Sequence, residues 1–446
     1  MCLPTTNGVT VTWPDDSPPP QGGLTEETAA AHVHGIAFKT GPPSRVGVEL
    51  EWLVRDARDP ALPVPAKRTF PAVADLTAPA VLPDPAALPS GSTLTTEPGG
   101  QLELSSAPAD SLGECVTAVR REMSTLREAM DRAGLRLQGY GFDPLRPPRR
   151  VLDLPRYTAM EEFFDRSGPW GREMMCNTAS VQVCLDAGQN TPATGGYRWR
   201  WRLAHHIGPV LVAAFANSPL RQGRPSGWRS TRQEVWAHLD PGRTQPPRDG
   251  DADPRDTYAA YALDAELMVV RREGSPSWTA PPGLTFRGWL RGRGERRPTV
   301  DDLTYHLSTL FPPVRPRGHL ELRMIDAQPG DDGWVVPAAV AWALFEDPKA
   351  ADTAMAAAEP LAAGHGRHGG HAHNGTSNGN PWLRAARDGP ADPALAQASQ
   401  QCFEAADAAL GRANAPAGIR DSVAEFTERY VLRRRCPADD QLEGMH

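Results

Sequence analysis

Lysine is nearly missing from this chain. Of its 47 basic residues only three are lysine: Lys39, Lys67 and Lys349. So strong a bias points to a GC-rich coding sequence rather than to a binding task. It also means that any handling of phosphate or carboxylate falls to arginine, whose planar fork suits both groups. Positive charge is not in excess. The net charge is −7, which argues against a dedicated nucleic-acid binder, because such a protein needs a net basic face. No apolar run approaches the roughly 18 residues of a membrane-spanning helix, so no membrane partner is expected. The N-terminus has neither a basic nor an apolar leader region and does not read as a signal peptide. The six cysteines (Cys2, Cys115, Cys176, Cys184, Cys402, Cys436) are scattered without CxxC or zinc spacing. They read as free thiols of a reducing, cytoplasmic compartment. No GxSxG nucleophile turn occurs, and Lys39-Thr40 lacks the glycine of a Walker A loop.

Proline (46) and glycine (41) are plentiful among the 446 residues. Hydrophobic residues at 40% and charged residues at 23% remain globular values, so wholesale disorder is excluded. Residues 1–43 are Pro/Gly-rich and patternless, and are expected to be a mobile arm. Residues 44–446 are expected to form a single catalytic domain. Within it, 60–92 carries eight prolines and reads as an ordered but irregular excursion. Residues 364–380 are low in complexity and read as a His/Gly-rich surface loop, with C-terminal helices following over 381–446. That loop matches GxGxxG as a string, but no strand precedes it and no helix follows, so the match is compositional. Its four histidines (His365, His368, His371, His373) suit weak transition-metal binding or, as the blander reading, simple solvation. A basic stretch, Arg287, Arg291, Arg293, Arg296 and Arg297, reads as a solvated turn flanked by Glu295, Asp301 and Asp302.

The elements between these segments are legible from periodicity. Arg45–Val54 alternates, with Val46, Val48, Leu50, Trp52 and Val54 on one face and Glu49 and Glu51 on the other. Thr93–Ser105 reads as strand, PGG turn and strand, with Gln101 and Glu103 sharing a face. Asp110–Ala133 is an amphipathic helix closed by Gly134. Ala179–Asp186, Tyr261–Arg271 and Gly318–Asp326 read as strands. Helices are expected over Arg202–Ala216 and over about 334–346, 394–411 and 418–433. Strands and helices mix without βαβ alternation, which implies an α+β fold around a largely antiparallel sheet. The pattern fixes no oligomeric state.

The unusual feature is acid on strands. Glutamate is a poor strand former, and a buried unpaired carboxylate is costly. Yet Glu49, Glu51, Glu97, Glu103 and Glu321 all lie in otherwise apolar strands or at their ends. Carboxylates converging on one sheet face suit Mg²⁺, which takes oxygen ligands from protein and phosphate. A solvated outer face with arginine partners is the competing reading. Arg323 shares a face with Glu321, Arg232 follows the turn GWRS, and Arg315 and Arg317 follow Phe311-Pro-Pro.

Six segments in one order carry a resemblance: VGVELEWL (46–53), TEPGGQLELSSA (96–107), MMCNTASVQVCLDA (174–187), FANSPL (215–220), STRQEVWA (230–237) and HLSTLFPPVRPRGHLELRMIDA (306–327). Together they resemble the glutamate–cysteine ligases, both the plant/proteobacterial type and its actinobacterial relatives in ergothioneine biosynthesis. The resemblance is strong over about residues 44–350. It implies an ATP-dependent ligase of the glutamine-synthetase-like superfamily, with a curved antiparallel sheet forming a funnel-shaped site backed by helices. ATP and Mg²⁺ would act there. The γ-carboxylate of L-glutamate would be phosphorylated, and the amine of L-cysteine would displace the phosphate to give γ-glutamylcysteine, ADP and phosphate.

By match to the family's motifs, Glu49, Glu51, Glu97, Glu103 and Glu321 become the expected Mg²⁺ ligands. Arg323 and Arg232 become the catalytic arginines, the first on the transferring phosphate and the second on a phosphate or substrate carboxylate. Thr178, Ser180, Gln182 and Asn217 fall where the family has substrate-facing polar residues. Cys176 and Cys184 share that segment and are read as packed thiols. The chain departs from its relatives at Arg317 and His319, where they often carry lysine and an aromatic residue. Two other readings stand beside this one: a ligase joining glutamate to another amine, and a non-catalytic metabolite-binding relative. A metal chaperone built on the histidine loop is the weakest.

Overall fold

The computed structural model describes residues 23–42, 45–76, 88–247, 252–272, 274–275, 277–362 and 379–445. Its centre is a seven-stranded sheet built from β1 (Val46–Asp56), β2 (Thr93–Thr96), β3 (Leu102–Ser105), β4 (Leu135–Gln138), β5 (Ser180–Asp186), β8 (Val314–Pro316) and β9 (His319–Asp326). The remaining two strands, β6 (Leu220–Arg221) and β7 (Arg224–Pro225), make a small hairpin. The main order is β2-β3-β1-β5-β9-β8, with β4 on the far half of β1, and every pairing is antiparallel. The α+β reading from the sequence therefore holds.

Alternation sorts the two faces. Val46, Val48 and Leu50 of β1, Leu102 and Leu104 of β3, Val181, Val183 and Leu185 of β5, and Leu320 and Leu322 of β9 are all buried in one core. Helices Tyr197–Ala214, Val335–Glu346 and Pro393–Arg412 contribute to the same core. Val335–Glu346 is apolar on every side because it is buried on every side. Helix Leu112–Arg132 follows its periodic pattern. Ser111 caps it by accepting from Glu114 N–H, and Gly134 takes a φ of +67° just past its end. The other face of the same strands is left polar, and it carries the site. No helix among the described residues is long and apolar enough to cross a membrane.

Several expectations need correction. The supposed arm contains α1 (Glu26–Ala37), opened by a capping box between Thr25 and Thr28. Its stripe Ala29, Val33, Ala37 is fully buried, but two alanines and one valine are too weak a pattern to stand out in the sequence. Its first turn is tied down by Glu26, which pairs with Arg287 at 2.7 Å and also with Arg291. Arg287 further binds Asp264 at 2.6 Å, and Arg296 binds Asp302 at 2.6 Å, so much of the basic stretch is paired rather than solvated. Within 60–92 a helix, Ala66–Val73, forms around Pro71; residues 77–87 lie outside the described residues. The expected strand 261–271 is instead the end of helix Pro254–Asp264, started by Asp253 with proline at its first position. Only isolated bridges at Glu266 and Val269 follow it. Residues 363–378, most of the histidine-rich stretch with its GxGxxG string, lie outside the described residues, as do residues 1–22.

Candidate active site

Strand register places the polar residues side by side. Glu51 of β1 stands opposite Glu103 of β3, and Glu49 stands opposite Gln182 of β5 and Ser105 of β3. Cys184 of β5 stands opposite Glu321 of β9. Between Val181 and Val183 the β5–β9 register slips, so Gln182 meets the two residues Arg323 and Met324. Alternation from Glu321 puts Arg323 on the polar face, where Nη1 donates to Gln182 Oε1 and to Glu321 Oε1, and the slip beyond it brings Asp326 opposite Ser180.

Glu321 differs from the other acids. It has no solvent exposure, and arginine takes both of its oxygens. Arg315 Nε donates to Oε2 at 2.9 Å and Nη2 to Oε1 at 2.7 Å, while Arg317 Nη1 lies 4.0 Å away. Burial alone would raise its pKa; Arg315, Arg323 and Arg317 together hold the carboxyl far below the usual carboxylate range. Arg315 was placed by the sequence only as one of a pair after Phe311-Pro-Pro. Its three-residue strand is too short to show a face.

Glu49, Glu51, Glu97 and Glu103 are partly buried and, among the described residues, none forms an ion pair with arginine or lysine. Glu51 accepts from Ser180 Oγ at 3.0 Å and from Gln182 Nε2 at 3.1 Å. Glu103 accepts from Ser105 Oγ at 3.0 Å. Desolvation, then the charges of Glu321 and Glu103, push Glu49 up to about 8. Desolvation and Glu103 push Glu51 up to about 7. Glu97 is raised well above its ordinary value by burial, then by Glu103 and Glu51, and it shares a hydrogen bond with Glu103. The Pro98-Gly99-Gly100 turn lets Glu97 reach this position. A Cβ on Gly99 would lie 2.4 Å from backbone atoms of Cys176, and Gly100 adopts a φ of +89°.

These four acids have the chemistry of hard-cation ligands: oxygen donors, partly desolvated, repelling one another, with arginines nearby but none, among the described residues, in ion-pair contact. Among the described residues no three His, Cys, Asp or Glu side chains already gather as a closed metal cage.

Arg232 lies beside this face, buried in helix Thr231–Ala237. Its Nη2 donates to Arg323 O at 2.8 Å, while Nε and Nη1 have no hydrogen-bond acceptor. A cavity of about 30 Å³ adjoins it, lined also by Arg323, Trp236, Thr244 and Phe311. Ser180 and Gln182 join the acids, but Thr178 and Asn217 do not. Thr178 Oγ1 donates to Met174 O at 2.6 Å, closing helix Trp170–Asn177. Asn217 Nδ2 donates to Gly139 O and Ala327 O, and its Oδ1 accepts from Gln441. Both side chains are spent on the scaffold. Cys184 is on the site face, but burial and then Glu49 raise its thiol well above 9. Burial and then Glu161 push Cys176 up to about 12. Neither is a thiolate nucleophile at neutral pH.

Acidic strands, a buried arginine with idle donors and a clamped Glu321–Arg323 pair form one constellation. Residues 45–443 match the model of glutamate–cysteine ligase family 2. The chain belongs to this family. Among its relatives, the glutamate–cysteine ligase EgtA of Mycolicibacterium smegmatis is 41% identical over 421 residues, spanning 93% of this chain and 90% of that protein. The EgtA enzyme of Mycobacterium tuberculosis strain H37Rv is 38% identical over 434 residues, spanning 96% and 92%. The chloroplastic glutamate–cysteine ligase of Brassica juncea is 31% identical over 264 residues, 57% of this chain and 50% of that one. The crystal structure of the Francisella tularensis glutamate–cysteine ligase in complex with AMP superposes with a TM-score of 0.51. It covers 91% of this chain and 85% of its own at 12% identity, a likeness of fold. The helix α1 lies ahead of the residues that match the family.

Proposed function

We propose that this member of the family is an ATP-dependent glutamate–cysteine ligase. It joins the γ-carboxylate of L-glutamate to the amine of L-cysteine through γ-glutamyl phosphate, releasing γ-glutamylcysteine, ADP and phosphate. The observation that carries the reading is a group of carboxylates, Glu49, Glu51, Glu97 and Glu103, none in an ion pair among the described residues, with the buried Arg232 and the half-buried Arg323 both acting on Glu51. A carboxylate is a poor acyl donor until its oxygen becomes a leaving group, and two anions must meet for phosphorylation to occur. Cationic groups must hold both.

Glu49, Glu51, Glu97 and Glu103 would hold Mg²⁺, which when bound supplies charge neutralisation and orientation for the transferring phosphoryl group. Glu321 would join them only by exchanging an arginine partner, so its first role is to hold Arg315 and Arg323. Arg323 spends Nη1 on Gln182 and Glu321 and keeps Nη2 for the transferring phosphate. Arg232 offers Nε and Nη1 to the carboxylate of an amino-acid substrate. Ser180 and Gln182 fix the rotamer of Glu51. The reaction needs no covalent protein nucleophile, in keeping with the protonated thiols of Cys176 and Cys184. Small molecules are then the partners, and the product would feed a low-molecular-weight thiol, ergothioneine in the resemblance to actinobacterial relatives. An ADP-release assay with ATP, Mg²⁺, glutamate and a panel of amines tests this. Release that depends on glutamate and cysteine is expected. Preference for another amine would reassign the second substrate, and no release with any amine would favour a binding protein.

A further inference from the structure

Asp326, the last residue of β9, is a buried carboxylate whose partners all come from the two segments around Arg232. Its Oδ2 accepts the backbone N–H of Asn217 at 2.9 Å and the hydroxyl of Ser218 at 2.6 Å. Its Oδ1 accepts the hydroxyl of Ser230 at 2.9 Å and lies 3.8 Å from Arg232 Nη1. Ser230 is at the same time the N-cap of helix Thr231–Ala237, accepting from Gln233 N–H at 3.2 Å. Ser218 Oγ accepts from Arg232 N–H at 3.3 Å, and Ser218 O from Thr231 N–H at 2.8 Å. One carboxylate thus sets where this helix begins, and Arg232 is its second residue.

The surroundings are shaped around that carboxylate. A Cβ on Gly141 would lie 2.3–2.6 Å from carboxyl and Cβ atoms of Asp326, so only glycine leaves the room. From the other side, Gln441 Nε2 holds Asn217 O and Oδ1 at 3.0 and 2.6 Å.

We propose that Asp326 is a positioning residue: by fixing the start of helix Thr231–Ala237 and facing Nη1 of Arg232 it aims that guanidinium, with its unpartnered Nε, at the substrate carboxylate. This rests on the reading of Arg232 given under the proposed function. Steady-state kinetics of the full chain test it with Arg232→Ala, Asp326→Asn and the double change Ser218→Ala with Ser230→Ala. Asp326→Asn and the serine double change should each raise KM for glutamate by about tenfold, the scale of one weakened hydrogen bond to a charged group, with KM for ATP moving less than about twofold. Placed on Arg232→Ala, the serine changes should add less than about twofold, because they act through the residue already removed. Additive effects, or an unchanged KM for glutamate in the serine variant while Arg232→Ala raises it, would overturn the positioning role alone. A normal KM for glutamate in Arg232→Ala would overturn the reading of Arg232 and the positioning role with it. The serine variant carries the test where Asp326→Asn fails to fold.

Discussion

Arg315 closes on both carboxylate oxygens of Glu321, Nε at 2.9 Å and Nη2 at 2.7 Å, where Glu321 has no solvent exposure. Two acids of the same sheet face therefore play different parts. Glu321 is clamped by arginine and lowered, whereas Glu51 has no ion pair among the described residues and is raised to about 7 by burial and Glu103.

The first prediction separates them. Glu321→Gln leaves Arg315 short of its counter-charge, a loss expected to cost about 3–5 kcal/mol of stability, as for breaking a buried pair. Glu51→Gln removes a repelling carboxylate and should leave thermal stability unchanged or slightly higher. On the proposed reaction both should lower kcat by about 100-fold, since each would perturb groups proposed to stabilise phosphoryl transfer. Thermal unfolding and steady-state rates check the pair. Equal loss of melting temperature in both variants would show that Glu51 is as structural as Glu321.

The second prediction concerns pH. Glu49 and Glu51 have folded-state pKa values of about 8 and about 7, above the ordinary value of 4.5. The folded protein then binds more protons than the unfolded chain between those values, so its stability falls as pH rises through that window. Without divalent cations the melting temperature should fall between about pH 4.5 and about pH 8 and level off above, and Mg²⁺ should restore more of it at the higher pH, where these acids are ionised. A Mg²⁺ effect that is flat with pH would remove these acids from the proposed Mg²⁺ site.

The third prediction follows from α1. Val33→Asp places an unpaired charge on its buried stripe and should lower the melting temperature markedly. Glu26→Gln, which loses only part-exposed ion pairs with Arg287 and Arg291, should change it far less. If Val33→Asp melts like the parent chain, α1 is a dispensable appendage after all.

What the sequence made legible was periodicity over long elements. β1, the PGG hairpin, β5, β9 and the helix Leu112–Arg132 all show two-fold or 3.6-fold patterns, and their faces sort as read. The acids could be grouped because each sits on such a strand. Asp326 could not be read in this way. It stands at a strand end, and its partners Asn217, Ser218 and Ser230 lie about 100 residues away in loops, where no periodicity exists. Thr178 and Asn217 show the reverse failure: polar residues in family motifs whose hydrogen bonds the backbone consumes. Arg55 makes the same point, since it lies on β1 yet is spent on Asp143 at 2.7 Å. A polar residue type at a strand position does not distinguish a ligand from a brace; the partner does.

The last prediction concerns the route of the oxygen. If Arg323 and Arg232 bring a phosphoryl group and a carboxylate together, the carboxylate oxygen attacks phosphorus and leaves with it when the amine adds. Glutamate labelled with ¹⁸O in its γ-carboxylate should therefore deliver one labelled oxygen to inorganic phosphate per turnover with cysteine. The face offers no competing acyl acceptor: the thiol of Cys184 is held protonated, and the hydroxyl of Ser180 is committed to Glu51. An adenylating ligase would instead place the label in AMP and release pyrophosphate. A binding protein would move no label. Labelled AMP would thus refute the acyl-phosphate route even with γ-glutamylcysteine as product, because the four acids and two arginines would then be serving attack at the α-phosphorus rather than the γ-phosphorus.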